Sequence, residues 1–371
     1  MQDKTDTFYE ILGDQINRHF PLKKVRSSTN DKPWMNNKIR SLIQKRQHAF
    51  IKGHTLLWKY LRNSVNCEII RARTTFTAKK LTQIDPKNPS TWYSTVKQIC
   101  GMNNKVSKVV IPGYENSPSS DFAKAVNDHF GRICSSLPAL DLAQLPAYLP
   151  ATTVAPSVTR SQVWRELSHI KVRKAPGPDG LPNRILKEFA FEISEVLCNI
   201  INASLFQGLV PSQWKCAVIV PLPKMIPTPS LDKLRPVSLT STLAKVTETF
   251  ISKWMIQNMS QSLDSQQFGN RKGRSTSHYL VQLVQHIHQA WEDGLTANLL
   301  AVYYSKAFDR VDITVAIQKL IHMGVSSALI PWISDFLTDR KQCVRVNGAT
   351  SEWYSVTCGV PQGTKVVSWL W

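Results

Sequence analysis

Residues 299–312 read LLAVYYSKAFDRVD. Six apolar or aromatic residues, Leu299 to Tyr304, run without a charge and give way to Ser305-Lys306. A short run of that kind predicts a strand ending in a turn, with Asp309 in the turn and Asp312 opening a helix at 312–323. Downstream, 328–337 has helical periodicity, and QCVRVNG…WYSVTC (342–358) alternates around Asn347-Gly348, the dipeptide favoured in tight hairpins. Upstream, helices are predicted at 275–292, 241–259 and 183–207, and CAVIVPLPK (216–224) is a short apolar strand ending in proline. KAPGPDGLP (174–182) packs three prolines and two glycines into a turn, after a short helix carrying Val163, Leu167 and Ile170. Strands and helices mixed without strict βαβ repetition predict an α+β domain over 159–371.

The front of the chain has a different texture. The protein carries 46 Lys/Arg against 26 Asp/Glu, a net charge of +20, and residues 1–110 alone hold 21 Lys/Arg against 7 acids. Between Lys32 and Lys80 there are twelve basic residues and one acid, Glu68. Ile39, Leu42, Ile43, Phe50, Leu56, Leu57, Leu61, Val65 and Ile69 recur at three- and four-residue steps, which predicts helices over 34–81. Trp34, Phe50, Trp58, Tyr60 and Phe76 interrupt the charges, so a basic helical pair can pack its aromatics while Lys38, Arg40, Lys45, Arg46, Lys79 and Lys80 meet phosphates. A solvated basic face over an ordinary helical hairpin accounts for the same pattern. Between the two regions, 112–121 has loop composition, Phe122–Ile133 fits one short helix, and Pro138, Pro146, Pro150 and Pro156 mark a linker. Three segments result: a basic helical region at 1–110, a helix and proline-rich linker at 111–158, and the α+β domain from 159.

Several classes are excluded by composition. No apolar stretch approaches the length of a membrane span, and MQDKTDTFYE has no signal core. Seven widely spaced cysteines argue for free thiols in a reducing compartment, hence an intracellular protein, nuclear or cytoplasmic. His286 and His288 lack nearby cysteine partners and read as helix-surface residues rather than zinc ligands.

Six strings in order, KAPGPDGLPNRIL, VPSQWK…VPLPK, LRPVSLTSTLAKVTE, QQFGNRKGRSTSHYL, YSKAFDRVD and GVPQGT, resemble the reverse transcriptase of non-LTR (LINE-like) retrotransposons over about 160–366. KPW at 32–34 through DPKNPSTWY at 85–93 resembles, less specifically, the segment ahead of the polymerase in these elements. The resemblance implies a right-hand polymerase with fingers and palm that copies RNA into DNA on a DNA primer, using dNTPs and two Mg²⁺ ions. Lys224 and Arg235 match fingers cations that contact the triphosphate, and Phe308 matches the aromatic that screens the sugar. Gln362 and Gly363 match the loop beneath template and nucleotide. Gly269, Arg271 and Gly273, with Lys272 and Arg274 among them, match a stretch near the template. A group II intron or telomerase-type polymerase shares this fold, but the APGPDG and SKAFD strings fit it less well.

Two departures bear on activity. The resemblance places the first metal-binding Asp where this chain has Tyr303, and a phenol with an ordinary pKa near 10 is a poor magnesium ligand. Asp309 matches the second acid of that string and reads as structural. The paired aspartates, usually in an aromatic-Ala-Asp-Asp hairpin, do not occur in the 371 residues. On this reading the palm is incomplete, the thumb is absent, and the chain is a fragment of the element's second reading frame. It holds no metal and is catalytically inert on its own. The competing reading is a non-catalytic RNA- or DNA-binding protein that needs no metal. Nothing in the sequence sets the oligomeric state.

Overall fold

The computed structural model describes residues 1–21, 32–82, 92–93, 95–97, 108–141, 143, 145, 154–269, 271 and 273–365. Lys272, Pro146, Pro150 and most of DPKNPSTWY lie outside the described residues. The chain forms two compact units, one of residues 1–20 and 108–371, the other of 21–107. Helix α1 (Gln2–His19) belongs to the first, apart from the basic helices with which the sequence reading groups it. No described helix is long and apolar enough to cross a membrane.

The second unit is the expected helical pair, α2 (Asn37–Ile51) and α3 (Thr55–Thr82). Asn36 caps α2 by accepting from the Ile39 amide at 2.9 Å, and Gly53 turns the chain at φ 71°. Ile39, Ala49, Leu61 and Val65 bury the seam, so part of the apolar stripe is core. Glu68 lies 3.0 Å from Lys38 and 3.6 Å from Arg71, and it is the one acid within α2 and α3. Arg62 stacks over Trp58 at 5.3 Å and Arg73 over Trp34 at 5.7 Å.

The first unit places α4 (Ser119–Cys134), α5 (Arg160–Ser168), α6 (Asn183–Glu188) and α7 (Ala190–Gln207) ahead of strand β1 (Cys216–Pro223). Then come β2 (Leu234–Thr240), α8 (Thr242–Met259), α9 (Thr276–Glu292), α10 (Ile313–His322), α11 (Ile330–Leu337), β3 (Arg340–Val346), β4 (Ala349–Thr350) and β5 (Tyr354–Val356). The small mixed sheet runs β2-β1-β3-β4, with β5 also on β3. β1 is antiparallel to β2 and parallel to β3. Proline explains the layout. Within β1, only Cys216–Ile219 pair with β3, so Pro221 and Pro223 fall beyond that ladder, and Pro236 sits on the edge strand. The predicted Asn347-Gly348 turn forms with both residues at positive φ, 51° and 86°, as a two-residue hairpin requires. Phe122, Val126 and Phe130 of α4 pack on Ala217, Ile219 and Val344 of the sheet, while the helices build a larger core around Trp214, Leu243, Ile251 and Trp332.

One prediction fails. LLAVYY forms no strand; Leu300, Val302, Tyr303 and Tyr304 lie exposed in a segment without regular structure. A strand needs a neighbour to satisfy its backbone, and 299–304 pairs with none of the five described strands. The apolar run therefore signals an element whose ladder is not made within the described residues.

The turn at 174–182 docks on the start of α8 through close packing. A Cβ on Gly177 would sit 2.6 Å from the Ser241 amide nitrogen. Ser241 caps α8, and Tyr9 of α1 reaches the same point. Its hydroxyl lies 3.2 Å from both Ser241 Oγ and Asp179 Oδ2, and accepts from Trp214 Nε1 at 3.0 Å. Burial pushes the Tyr9 phenol pKa up and, with it, that of the Asp179 carboxyl. Tyr9→Phe leaves the buried Trp214 donor without its acceptor and is expected to lower unfolding free energy by about 1–3 kcal/mol. Urea denaturation measures the loss; no shift in midpoint would show that α1 does not brace this junction.

Candidate nucleotide and nucleic-acid site

The strings at 216–240, 305–312 and 357–363 meet at one edge of the sheet. β1 and β2 form a hairpin in which Leu222 faces Arg235, and the Lys224 amide donates to the Lys233 carbonyl at 2.8 Å. Side chains alternate along a strand, so Lys224, two residues after Leu222, shares a face with Arg235. Both cations are exposed. Both residues thus sit on one β-hairpin. The strand β2 was not legible from the residues themselves, because Pro236 interrupts it.

The Ala307–Arg310 turn begins at Lys306, which has left-handed backbone at φ 54° and accepts the amides of Asp309 and Arg310 at 2.9 and 3.1 Å. Residues 357–363 are laced to this turn. Gly359 N donates to Val311 O at 2.9 Å and Val360 N to Phe308 O at 2.8 Å. Gln362 Nε2 donates to Asp309 Oδ1 at 3.0 Å, and Ser238 N donates to Gln362 O at 3.1 Å. Three strings far apart in sequence thus share one hydrogen-bond web. Gly363 has φ 117°, and a Cβ there would lie 3.3 Å from Ser238 O, so the absence of a side chain permits the approach. Arg340 backs the web from beneath, with Nη1 3.4 Å from Gly359 O. Its burial pushes the guanidinium pKa down to about 10.

Phe308 is half-buried and packs against the main core, compatible with an ordinary core aromatic as well as a sugar screen. Arg271 donates to the Asp264 carbonyl at 3.0 Å, and Arg274 lies over Phe268 at 5.4 Å, in the loop leading to α9. Gly269 and Gly273 have open space around them. Lys38, Arg40, Lys45, Arg46, Lys79 and Lys80 sit on α2 and α3, in the other unit.

The magnesium pair implied by the resemblance does not fit these residues. Asp309 is largely buried; that burial raises its carboxyl pKa, against the opposing pull of Gln362, Lys306 and Lys224. Tyr303 is 89% exposed, outside the web. Among the described residues no three His, Cys, Asp or Glu gather as a metal cluster. Sequence reasoning missed three participants. Asp232 Oδ1 lies 2.6 Å from Lys306 Nζ and 3.5 Å from His129 Nε2. Lys306 stood in plain view in SKAFD, but His129 on α4 carries no signal of its own.

Gly359 is the tightest point of the web, at φ 74° and with Asp309 O only 2.5 Å from where a Cβ would stand. Gly359→Ala therefore meets both backbone strain and a backbone clash, and is expected to destabilise by more than about 1 kcal/mol. Thermal unfolding of the variant reads this directly, and an unchanged transition would disprove the tight approach.

Residues 226–371 match the family model described as reverse transcriptase (RNA-dependent DNA polymerase). The chain is similar to the probable RNA-directed DNA polymerase from transposon BS of Drosophila melanogaster, 32% identical over 209 residues, covering 55% of this chain and 23% of that protein. It is 29% identical over 211 residues to the RNA-directed DNA polymerase from mobile element jockey of the same organism, covering 56% and 23%. The putative 115 kDa protein in type-1 retrotransposable element R1DM is 27% identical over 231 residues, covering 60% and 21%. The chain thus spans less than a quarter of the length of these curated relatives. The chain is thus similar to RNA-directed DNA polymerases of retrotransposons, and the match to the reverse transcriptase model falls on residues 226–371.

Proposed function

We propose that residues 159–371 are the fingers and part of the palm of a right-hand, RNA-directed DNA polymerase. In this reading the β1–β2 hairpin meets the triphosphate of a dNTP through Lys224 and Arg235. Phe308 screens the sugar, and Gln362 and Gly363 lie beneath the RNA template and the DNA primer end. The observation that carries it is the web joining β2, the Ala307–Arg310 turn and residues 357–363. That web gathers the implied nucleotide-handling residues at one edge. The basic pair α2–α3, with Arg271, Lys272 and Arg274, supplies electrostatic grip on the strands.

The same reading makes this chain a holder of nucleic acid and not an extender of it. Two-metal transfer needs carboxylate oxygens, and Tyr303 offers a phenol in place of a carboxylate. Losing a single transition-state electrostatic partner typically costs about 10²–10³ in rate, and Tyr303 stands where the first carboxylate is expected. A non-catalytic RNA- or DNA-binding protein is the second reading, favoured by the charge of the α2–α3 unit.

The experiment is filter binding of the full chain to single-stranded RNA across a salt series, followed by primer extension with Mg²⁺. Binding is expected to weaken steeply with salt. Replacing Lys45, Lys79 and Lys80 by Gln is expected to reduce the log–log slope by about 2, from ~0.7 per phosphate neutralised. Primer extension is expected to give no product above a boiled control. Templated product would refute inactivity, and salt-independent or absent binding would refute both readings.

A further inference from the structure

The tip of the β1–β2 hairpin closes on a cation that neither its own strands nor the nucleotide reading supplies. Asp232, in the Leu231–Lys233 turn, places Oδ1 2.6 Å from Lys306 Nζ and 3.5 Å from His129 Nε2. Lys306 is held by left-handed backbone at the head of the web, and His129 comes from α4. Lys306 holds the Asp232 carboxyl below its usual range, and Lys224 adds a smaller pull in the same direction on Asp232 and, against its burial, on Asp309. Two lysines and an imidazole therefore converge from three separate segments, and the small anion among them is tethered to the hairpin. Asp232 is 61% exposed while Lys306 is only 23% exposed, so the carboxylate is free to leave and the ammonium is seated.

We propose that Asp232 is a built-in stand-in for phosphate. It occupies an anion seat formed by Lys306 and His129 beside Lys224, and an incoming polyphosphate displaces it and releases the hairpin tip. The inference rests on the reading of this edge as a nucleotide site and extends it. It adds Lys306 as a third phosphate-holding cation and Asp232 as an internal competitor. The physics is simple exchange. One carboxylate carries one charge and two acceptor oxygens, whereas a triphosphate carries several of each and spans neighbouring cations at once. Because the Asp232–Lys306 pair is partly solvated, it is weak enough to be exchanged.

The test is calorimetric titration of the full chain with inorganic tripolyphosphate at fixed ionic strength. Asp232→Asn is expected to tighten binding about 2–5-fold, the range set by a partly exposed ion pair. Lys306→Asn, a residue type tolerated in left-handed backbone, is expected to weaken binding by a similar factor, and Lys306→Arg to restore most of it. In the Lys306→Asn background, Asp232→Asn is expected to change nothing, since the competitor has lost its seat. An equal gain in both backgrounds would mean bulk charge and would overturn the proposal. The paired change Lys224→Gln with Arg235→Gln tests the underlying reading separately. If it weakens binding while Asp232→Asn has no effect, the nucleotide site stands and the stand-in falls. If it has no effect while the Asp232–Lys306 cycle couples, the anion seat stands and the assignment of Lys224 and Arg235 falls. No binding by any variant would overturn both.

Discussion

Everything at the candidate site hangs on main-chain hydrogen bonds between residues 307–312 and 358–362. Two short, irregular segments cannot hold one another by side-chain packing alone, because each is only a few residues long. They are fixed because Gly359 lets one backbone lie directly against the other, at the Asp309 carbonyl. The amides of Gly359 and Val360 then find acceptors at Val311 and Phe308 instead of water. The same lacing reaches β2 through Ser238 and the bottom of the sheet through Arg340. Side chains on three loops thereby acquire defined positions.

Charge is distributed unevenly between the two units. The α2–α3 pair has one acid, which Lys38 and Arg71 share, against many cations along the two helices. In the other unit, positive charge at the hairpin edge is answered locally by Asp232 and Asp309. A smooth basic surface suits a polyanion of any sequence, whereas a few cations interleaved with acids suit a small anion of defined size.

Helices were legible in the sequence because their apolar residues repeat at three and four positions; the caps at Asn36, Thr159 and Ser241 emerge only in the structure. The β3–β4 turn was legible because Asn347-Gly348 tolerates two positive φ angles. β2 was hidden by Pro236, and 299–304 was misread because alternation and apolarity report a side chain's preference, not whether a neighbour is there to pair. Candidate nucleotide-site residues came only from the order of the strings, which names positions without distances. Asp232, Lys306 and His129 escaped because their meeting is set by tertiary folding across 177 positions, from residue 129 to 306, and no local pattern encodes it.

The Asn347 side chain does more than shape its turn. Its amide accepts from Val109 N at 3.0 Å and donates to Val109 O at 2.8 Å, imitating one rung of a ladder and fastening the chain ahead of α4 to the far end of β3. Asparagine followed by glycine is the pair most prone to lose ammonia as a protein ages. Hydrolysis to aspartate would turn the donor into a second acceptor, set against the Val109 carbonyl. The rung would then repel where it now binds, and the chain would carry its own slow chemical clock at the point where its smaller core is buttoned shut.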